Sequence, residues 1–340
     1  MISKTIKKPK HQSLQYRTLG RSDLVVSPIG LGCWQLSGGK GWMGKLWPPL
    51  DYSTMKQVVE LSLEGGVNWF DSAEAYGWGE SEKNLVTILK DLGRPAHRQY
   101  IATKWWPLFR TAKHIRSSID RRLESLQGYP IDLYQIHQPF SFSSIRSQMD
   151  AMAGLVKSRK IRYVGVSNFS AKKMRKAHDA LAGHGIPLVS NQIQYNLLDR
   201  SAESNGVIDT ARELGISIIA YSPLAQGLLT GKFHDDPMLI MQRPGVRKFQ
   251  HSFRKEGLRE SLPVVQALKK IADRHEATAA EVALAWLLQF HGDMVVAIPG
   301  ATKPHHVQNN VKAMRIVLSE DELDELDRVA VRFKKETGKI

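Results

Sequence analysis

Cysteine is nearly absent from this sequence, which has only one, Cys33, among 340 residues. A single cysteine excludes disulfides within the chain and is typical of a protein that folds in the reducing cytosol. No His-x-His or Cys-x-x-Cys pair occurs, and the adjacent His305 and His306 suit a phosphate better than zinc. We therefore predict a cytoplasmic protein without a metal site.

Long hydrophobic runs are missing as well. No apolar run approaches the roughly 20 residues that are needed to cross a bilayer. Lysines are frequent in residues 1–11, but the apolar stretch of a secretory signal does not follow them. We expect residues 1–14 to be a disordered basic tail and residues 15–340 to form a single domain.

Acidic residues are the minority, with 33 Asp and Glu against 48 Lys and Arg, so that the net charge is +15. An excess of positive charge favours a nucleic-acid surface or a small ligand that carries phosphate, although many such charges are simply solvated. The basic segment 171–176 lacks the interleaved aromatic residues of a nucleic-acid surface. We expect a phosphate-bearing small ligand, and neither a nucleic-acid partner nor a membrane partner.

Apolar segments of strand length alternate with helical segments along most of the chain. Eight strands are predicted, beginning near Ile29, Asn68, Tyr100, Asp132, Tyr163, Leu188, Ser217 and Met294. The first seven begin about 25–40 residues apart, which is the size of a βαβ unit. The pattern predicts an α/β fold, a closed (β/α)8 TIM barrel with an N-terminal β-hairpin and extra C-terminal helices; a doubly wound sheet is the alternative.

Polar residues stand where several of these strands should end. Asp71, Lys104 and His137 follow three neighbouring strands, and Tyr76 comes five residues after Asp71. Taken singly, Asp71 could cap a helix, Lys104 could be a solvated strand end and His137 could be a structural histidine. The carboxyl ends of barrel strands meet at one rim, however, so the three would lie close together. Lys104 at about 4 Å would lower the pKa of Tyr76, Asp71 would balance Lys104, and His137 would donate a hydrogen bond to a substrate oxygen. Such a set moves a proton to a carbonyl but has no source of electrons.

The motifs that contain these residues resemble those of the aldo-keto reductase superfamily, over about residues 16–331. They are Phe70-Asp71-Ser72-Ala73, Ala102-Thr103-Lys104, Tyr134-Gln135-Ile136-His137, Gly165-Val166-Ser167-Asn168, Asn191-Gln192, Tyr221-Ser222-Pro223-Leu224 and Ile298-Pro299-Gly300-Ala301. The resemblance implies NADPH-dependent reduction of an aldehyde or ketone. It also implies a catalytic tetrad of Asp71, Tyr76, Lys104 and His137, in which Tyr76 is the proton donor.

The same resemblance implies where the cofactor would lie. Cys33 and Trp34 would line its side of the first strand, Ser167, Asn168 and Gln192 would hold the carboxamide, and Tyr221 would stack on the nicotinamide. The phosphates and the adenine end would lie against Ser222, Pro223, Leu224, Gln226, Gly227, Lys232, Gly300, Thr302, Lys303, His306, Asn309 and Asn310. Lys303 favours NADP over NAD, whereas Asn309 stands where the family usually has Glu, which leaves the adenine contact open.

Tryptophans near the predicted strand ends point to an aromatic substrate pocket. Trp34, Trp78, Trp105 and Trp106 are its predicted lining, which would suit an aromatic or bulky aliphatic carbonyl, and core packing is the alternative. Residues 228–261 are predicted to be a long functional loop before a helix at 262–275. The last-strand motif also resembles potassium-channel β-subunits, so an NADPH-binding regulatory or redox-sensing subunit on the same fold is the alternative function.

Overall fold

A computed structural model describes residues 14–40, 49–242 and 249–337. Of the predicted basic tail at 1–14, all but Leu14 lies outside the described residues. The predicted N-terminal hairpin is confirmed: β1 (Arg17–Thr18) pairs antiparallel with β2 (Val25–Val26). Within the described ranges, no helix is both long and apolar enough to span a membrane.

Eight further strands form one parallel sheet in which each strand lies beside the next along the chain. They are β3 (Leu31–Gly32), β4 (Trp69–Asp71), β5 (Tyr100–Trp105), β6 (Leu133–Ile136), β7 (Tyr163–Ser167), β8 (Leu188–Gln194), β9 (Ser217–Tyr221) and β10 (Val295–Ala297). The Gly30 amide donates to the Ala297 carbonyl at 2.9 Å, and the Gly32 amide donates to the Pro299 carbonyl at 3.2 Å. These bonds join the first and last strands, so the predicted (β/α)8 barrel is confirmed.

Twelve helices lie between and after the strands within the described residues. They are α1 (Tyr52–Glu64), α2 (Glu80–Asp91), α3 (Ala112–Ser125), α4 (Ile145–Lys157), α5 (Ala171–Ala182), α6 (Ser201–Ser204), α7 (Val207–Leu214), α8 (Lys232–Asp235), α9 (Lys255–Arg274), α10 (Ala279–Gln289), α11 (Pro304–Ala313) and α12 (Glu320–Thr337). Short 3₁₀ helices lie at Trp34–Ser37, Gly77–Gly79, Ala96–Arg98, Ala225–Thr230, Pro237–Ile240, His251–Phe253 and Gly292–Met294. The predicted C-terminal helix is present as α12, which packs on α9.

Neighbouring residues of each strand face opposite sides of the sheet, and this alternation separates two apolar clusters. Phe70 packs outward among the helices, whereas Trp69 packs inside the barrel with Leu19 and Leu24 of the hairpin loop. The indole nitrogen of Trp69 donates to the Ser27 carbonyl at 2.9 Å. The hairpin therefore closes the amino end of the barrel, and the polar residues are left to the carboxyl end.

The long predicted loop has more structure than the sequence suggested. Leu228, Phe233, Ile240 and Phe253 form a small apolar cluster of their own within it. Helix α9 then begins at Lys255, seven residues before the predicted start. Its Pro263 lies inside the helix, which explains why the sequence pattern suggested a later beginning.

A buried charged group joins α2, β5 and α3 on the outer face of the barrel. Glu82 accepts hydrogen bonds from Thr103 Oγ1 at 2.5 Å and from Arg122 Nη1 at 2.7 Å. Burial raises the pKa of Glu82 to about 7, although Arg122 and Thr103 act in the opposite direction. Because the folded protein binds more protons than the unfolded chain between the ordinary pKa of 4.5 and about 7, the stability from this group falls as the pH rises through that window.

We expect Arg122→Met to destabilise the fold by about 3–5 kcal/mol at pH 8, because it leaves a buried carboxylate without its cation. The loss should be smaller at pH 5, where Glu82 can take up a proton. Denaturant unfolding at the two pH values measures both. Arg121→Met, at the exposed neighbouring position, is the control. Equal losses at the two pH values would contradict an ionisable Glu82 as the cause.

Candidate active site

The parallel register brings polar side chains into one layer at the carboxyl end of the barrel. In such barrels each layer takes its side chains from alternate strands. Asp71 on β4, Gln135 on β6 and Gln192 on β8 form this layer, and their side chains are at most 2% exposed. The Gln135 and Gln192 amide nitrogens both donate to Asp71 Oδ2, at 3.1 Å and 2.9 Å.

Lys104 on β5 lies directly above this layer and is wholly buried. Its ammonium group has three contacts: Asp71 Oδ1, the Ser72 carbonyl at 2.8 Å and the Tyr76 hydroxyl at 3.3 Å. Burial lowers the pKa of Lys104, but Asp71 and Tyr76 outweigh it, so that the pKa lies above its ordinary value. Lys104 is therefore a cation that is fixed between a carboxylate and a phenol.

Tyr76 stands on the turn after β4 and is 8% exposed. Its ring stacks on Trp34, with centroids 5.3 Å apart and an interplanar angle of 12°. Burial raises the pKa of Tyr76, and the charge of Lys104 lowers it by less. Lys104 thus lowers the pKa of Tyr76 as expected, but burial raises it by more. Tyr76 keeps its proton at neutral pH.

His137 follows β6 and completes the group of four predicted residues. Its ring meets Tyr76 and Trp106 edge-on, with centroid distances of 5.8 and 5.1 Å. Burial and the charge of Lys104 lower the pKa of His137 well below 6.5, so the imidazole is neutral. Its Nδ1 atom is buried and has no hydrogen-bond partner among the described residues. The structure therefore brings the four residues together, with one cation, one carboxylate and two neutral rings.

Three of the predicted cofactor residues form a second polar group beside His137. The Tyr221 hydroxyl donates to Asn168 Oδ1 at 3.0 Å. Asn168 has a φ of 61°, and its amide nitrogen lies 3.2 Å from Ser167 Oγ and 3.3 Å from the His137 carbonyl. Gln192 joins them through its backbone, because its carbonyl accepts from Ser167 Oγ and from the Asn168 amide, both at 2.9 Å. Its side-chain nitrogen donates to Asp71 and lies 3.5 Å from Gln135 Oε1. The side chain of Gln192 therefore belongs to the polar layer beneath Lys104.

The segment after β9 contains several left-handed residues, and the Ala225 and Gly227 amides within it donate to the Ser222 and Leu224 carbonyls at 2.9 Å. Positive φ angles occur at Ser222, Ala225, Gln226, Gly227 and Gly231, and such left-handed residues turn backbone N–H groups into concave cradles. The Gln226 Oε1 atom is buried without a hydrogen-bond partner among the described residues. Among the other residues predicted here, Pro223 is buried, and Leu224 is partly buried against the core.

A cationic group lies at the amino end of α11, beyond β10. Lys303 is the N-cap residue of this helix and is exposed, and Thr302 Oγ1 lies 3.3 Å from His306 Nδ1. The pKa of His306 is lowered to about 4 by burial and by the charges of His305, Lys232 and Lys303. Lys232, the first residue of α8, therefore lies near the same region.

Other predicted residues of this region differ in exposure. Gly300 is exposed, whereas Asn310 is buried on α11. In the amide orientation that satisfies its neighbours, Asn309 donates to the His305 carbonyl at 3.2 Å and to Glu281 Oε1 at 3.1 Å. Glu281 of the neighbouring α10 therefore lies beside Asn309, the residue predicted to stand where the family usually has Glu.

One predicted residue of the substrate pocket is wrong. Trp105 is the last residue of β5 and packs outward in the core between sheet and helices, where it is wholly buried. Cys33 is also wholly buried, with its Sγ 3.3 Å from the Leu31 carbonyl, and its place beside the cofactor stays a prediction. Trp34 and Trp106 do pack with Tyr76, while Trp78 is 62% exposed and its place in a pocket stays a prediction.

Several residues at the site were missed. Gln135 lies two residues before His137, and strand alternation places both on the same face, so this signal was available. Glu74 and Arg110 had no comparable signal, because both lie in loops. Phe140 also contacts Trp106 edge-on, at a centroid distance of 6.0 Å.

Comparison with known proteins assigns the chain to a family. The model of the aldo/keto reductase family matches residues 28–331. The chain belongs to the aldo-keto reductase family. It is therefore an oxidoreductase by family.

Relatives match this aldo-keto reductase over most of its length. An uncharacterized oxidoreductase of Mycobacterium tuberculosis is 37% identical over 310 residues, which are 91% of each chain. A chloroplastic pyridoxal reductase of Arabidopsis thaliana is 31% identical over 329 residues, covering 92% of this chain and 85% of the relative.

Solved structures have the same architecture. The glycerol dehydrogenase of Gluconobacter oxydans has a TM-score of 0.80 and 26% identity, covering 95% of this chain and 97% of that one. A thermostable aldo-keto reductase in complex with the inhibitor epalrestat has a TM-score of 0.74 and 29% identity, covering 92% of this chain and 99% of that one.

An ion pair ties together the loops around the site. Arg110 Nη1 lies 2.9 and 2.8 Å from the two carboxylate oxygens of Glu74, which also accepts from the Trp106 amide at 3.1 Å. The Arg110 carbonyl accepts from Ser141 Oγ at 2.9 Å and from the Phe142 amide at 3.1 Å. The loops after β4, β5 and β6 are therefore linked through Arg110.

We expect Arg110→Met to leave the barrel folded but to raise amide hydrogen exchange in residues 106–111 by about tenfold or more. Without the ion pair, local opening of these loops costs less free energy. Exchange measured by mass spectrometry, with β6 as an internal reference, reports this. Lys113→Met, at a nearby exposed position, should leave the same residues unchanged. Unaltered exchange in Arg110→Met would mean that the other contacts of these loops hold them without the ion pair.

Proposed function

We propose that this aldo-keto reductase uses NADPH to reduce an aldehyde or ketone to the alcohol, with Tyr76 as the proton donor. The observation that carries the proposal is the buried chain of contacts from Asp71 through Lys104 to the Tyr76 hydroxyl, beside a neutral His137. This arrangement suits proton delivery to a carbonyl oxygen. A small-molecule carbonyl is therefore the partner that we propose.

The residues fit a dinucleotide at three places. Tyr221 offers a partly exposed ring that is oriented by Asn168. The segment from Ser222 to Gly227, in which four residues have positive φ angles, suits a pyrophosphate, and Gln226 Oε1 has no internal partner among the described residues. Lys303 and Lys232 suit a further phosphate near the start of α11, which favours NADPH over NADH. Bound NADPH would supply the hydride.

The tetrad would supply the proton. Tyr76 keeps its proton in the resting site, because burial raises its pKa. As the substrate oxygen gains negative charge, Tyr76 gives up this proton and the phenolate is stabilised by Lys104, a contact worth up to about 4 kcal/mol at an effective dielectric of about 20. A neutral His137 can donate an N–H to the same oxygen without competing for the proton.

The walls of the site favour an aromatic or bulky apolar carbonyl. Trp34 stacks on Tyr76, Trp106 meets His137 edge-on, and Phe140 extends this wall beyond Trp106. Aromatic side chains recognise apolar rings by shape and by stacking. The Arabidopsis relative, a pyridoxal reductase, adds an aromatic aldehyde to the panel of substrates to test, and the Gluconobacter glycerol dehydrogenase adds a small polyol.

We expect Tyr76→Phe to bind NADPH as the unmodified protein does and to lose at least about 100-fold in turnover, since only the proton donor is removed. NADPH consumption with a panel of aldehydes and ketones measures turnover, and quenching of tryptophan fluorescence measures binding. Tyr134→Phe is the matched control, because the buried Tyr134 hydroxyl has no hydrogen-bond partner among the described residues.

Turnover of Tyr76→Phe close to that of the unmodified protein would contradict the role of Tyr76. If the unmodified protein binds NADPH but oxidises it with no carbonyl of the panel, the regulatory or redox-sensing alternative is favoured instead.

We expect Lys303→Glu to weaken NADPH binding by about 100-fold or more and NADH binding far less, because the new charge would repel a 2′-phosphate. Titration with both cofactors measures the ratio. Lys157→Glu reverses an exposed charge at the far end of α4 and should change neither affinity. Equal weakening of both cofactors would show that Lys303 does not face the 2′-phosphate.

A further inference from the structure

We propose that Gln135 is a positioning residue for the proton donor, acting through Asp71 and Lys104. With Gln192 it fixes one carboxylate oxygen of Asp71, so that the other oxygen holds the Lys104 ammonium group against the Tyr76 hydroxyl. The proposal rests on the proposed reductase function for its kinetic consequence, while its structural consequence is independent of any substrate.

The two carboxylate oxygens of Asp71 have different partners. Oδ1 accepts from the Lys104 ammonium, and Oδ2 accepts from Gln135 Nε2 at 3.1 Å and from Gln192 Nε2 at 2.9 Å. Both Gln135 and Lys104 are wholly buried, and Asp71 is 1% exposed. The two amides are therefore buried donors to the carboxylate, away from bulk solvent.

Neutral donors are well suited to this position. A buried carboxylate is costly unless hydrogen bonds satisfy both oxygens. A second cation at Oδ2 would satisfy it too, but would repel Lys104. The amides of Gln135 and Gln192 stabilise the charged carboxylate without adding charge, and leave Lys104 as the cation that contacts Tyr76. Without Gln135, Asp71 Oδ2 keeps only the Gln192 amide, so the carboxylate is held less firmly against Lys104.

The barrel leaves space for the Gln135 side chain on the neighbouring strand. Gly165 on β7 pairs with Gln135 in the register, and a Cβ atom at Gly165 would lie 3.0 Å from Gln135 Cγ and 2.4 Å from Ser190 Oγ. A larger residue at 165 would force the glutamine or the serine to move. The absence of a side chain at Gly165 thus allows Gln135 to reach Asp71.

Gln135 is a better residue to test than Gln192. By family resemblance Gln192 would also hold the cofactor carboxamide, so its substitution would mix two effects. Gln135 is wholly buried in the layer beneath Lys104, donates to Asp71, and has no predicted contact with substrate or cofactor. A change at Gln135 therefore reaches the reaction only through Asp71 or Gln192.

The test compares Gln135→Met with Gln135→Glu in the full-length protein. Methionine keeps the length of glutamine but cannot donate, so we expect turnover to fall by about tenfold or more at every pH, with NADPH affinity unchanged. A protonated glutamic acid can donate to Asp71 Oδ2 as the amide does, and an ionised glutamate would repel it. Gln135→Glu should therefore retain much of its activity at about pH 5.5 and lose it at about pH 8.5, relative to the unmodified protein at each pH.

A purely structural role for Gln135 predicts another pattern, in which Met is tolerated at least as well as Glu and acid pH gives no rescue. Gln148→Met removes another buried glutamine, on α4, and should leave turnover and its pH dependence unchanged. Thermal unfolding of each variant separates loss of activity from loss of fold. Unreduced turnover in a folded Gln135→Met, or no acid rescue in Gln135→Glu, would overturn the proposal.

Crystal structures of Gln135→Met and Gln135→Glu, the latter grown at about pH 5.5, test the positioning directly. We expect Gln135→Met to lose the contact between the Lys104 ammonium and the Tyr76 hydroxyl, and the acidic form of Gln135→Glu to keep it. Unchanged contacts in Gln135→Met would overturn the positioning role even if no carbonyl substrate were found. Failure of the unmodified protein to reduce any carbonyl would instead count against the proposed function.

Discussion

The buried ion pair between Asp71 and Lys104 is the constraint on which the site depends. Moving an ion out of water costs several kcal/mol even after relaxation, and both side chains are at most 1% exposed. The cost is offset because the ammonium group has three acceptors and the second carboxylate oxygen has two amide donors. The pair is therefore held in one geometry, and the Tyr76 hydroxyl is held with it.

The two ends of the barrel differ in polarity, and this difference allows the ion pair to be buried. Trp69 and the hairpin residues Leu19 and Leu24 close the amino end with apolar side chains. The carboxyl end takes the polar layer, whose members come from strands that are rigid and paired on both sides. Loops complete the site but are themselves tied down, since the Glu74 amide donates to the Lys104 carbonyl and its carboxylate holds Arg110.

Positive charge is distributed unevenly over the two parts of the site. At the reaction centre Lys104 is balanced by Asp71, and burial keeps His137 neutral. Near the start of α11, by contrast, the positive charges of Lys232 and Lys303 help to keep His306 neutral. A centre with little net charge suits an uncharged carbonyl, and the cationic region suits the phosphates that we propose for the cofactor.

The sequence by itself determined the order of the strands and the four residues that meet at their ends. Both follow from chain topology, because parallel strands present their carboxyl ends at one rim regardless of packing detail. Trp105 shows where this reasoning stops. The strand was predicted to end at Lys104 but continues to Trp105, and one further residue of strand turns the indole outward.

Only the tertiary structure decided which polar side chains touch. Gln135 and Gln192 are far apart in the chain, and their shared contact with Asp71 depends on the stagger between strands of the closed barrel. The same stagger turned the Gln192 amide toward Asp71. Alternation along a strand predicts a face, but the partner across the barrel is set by closure, which no local pattern in the sequence encodes.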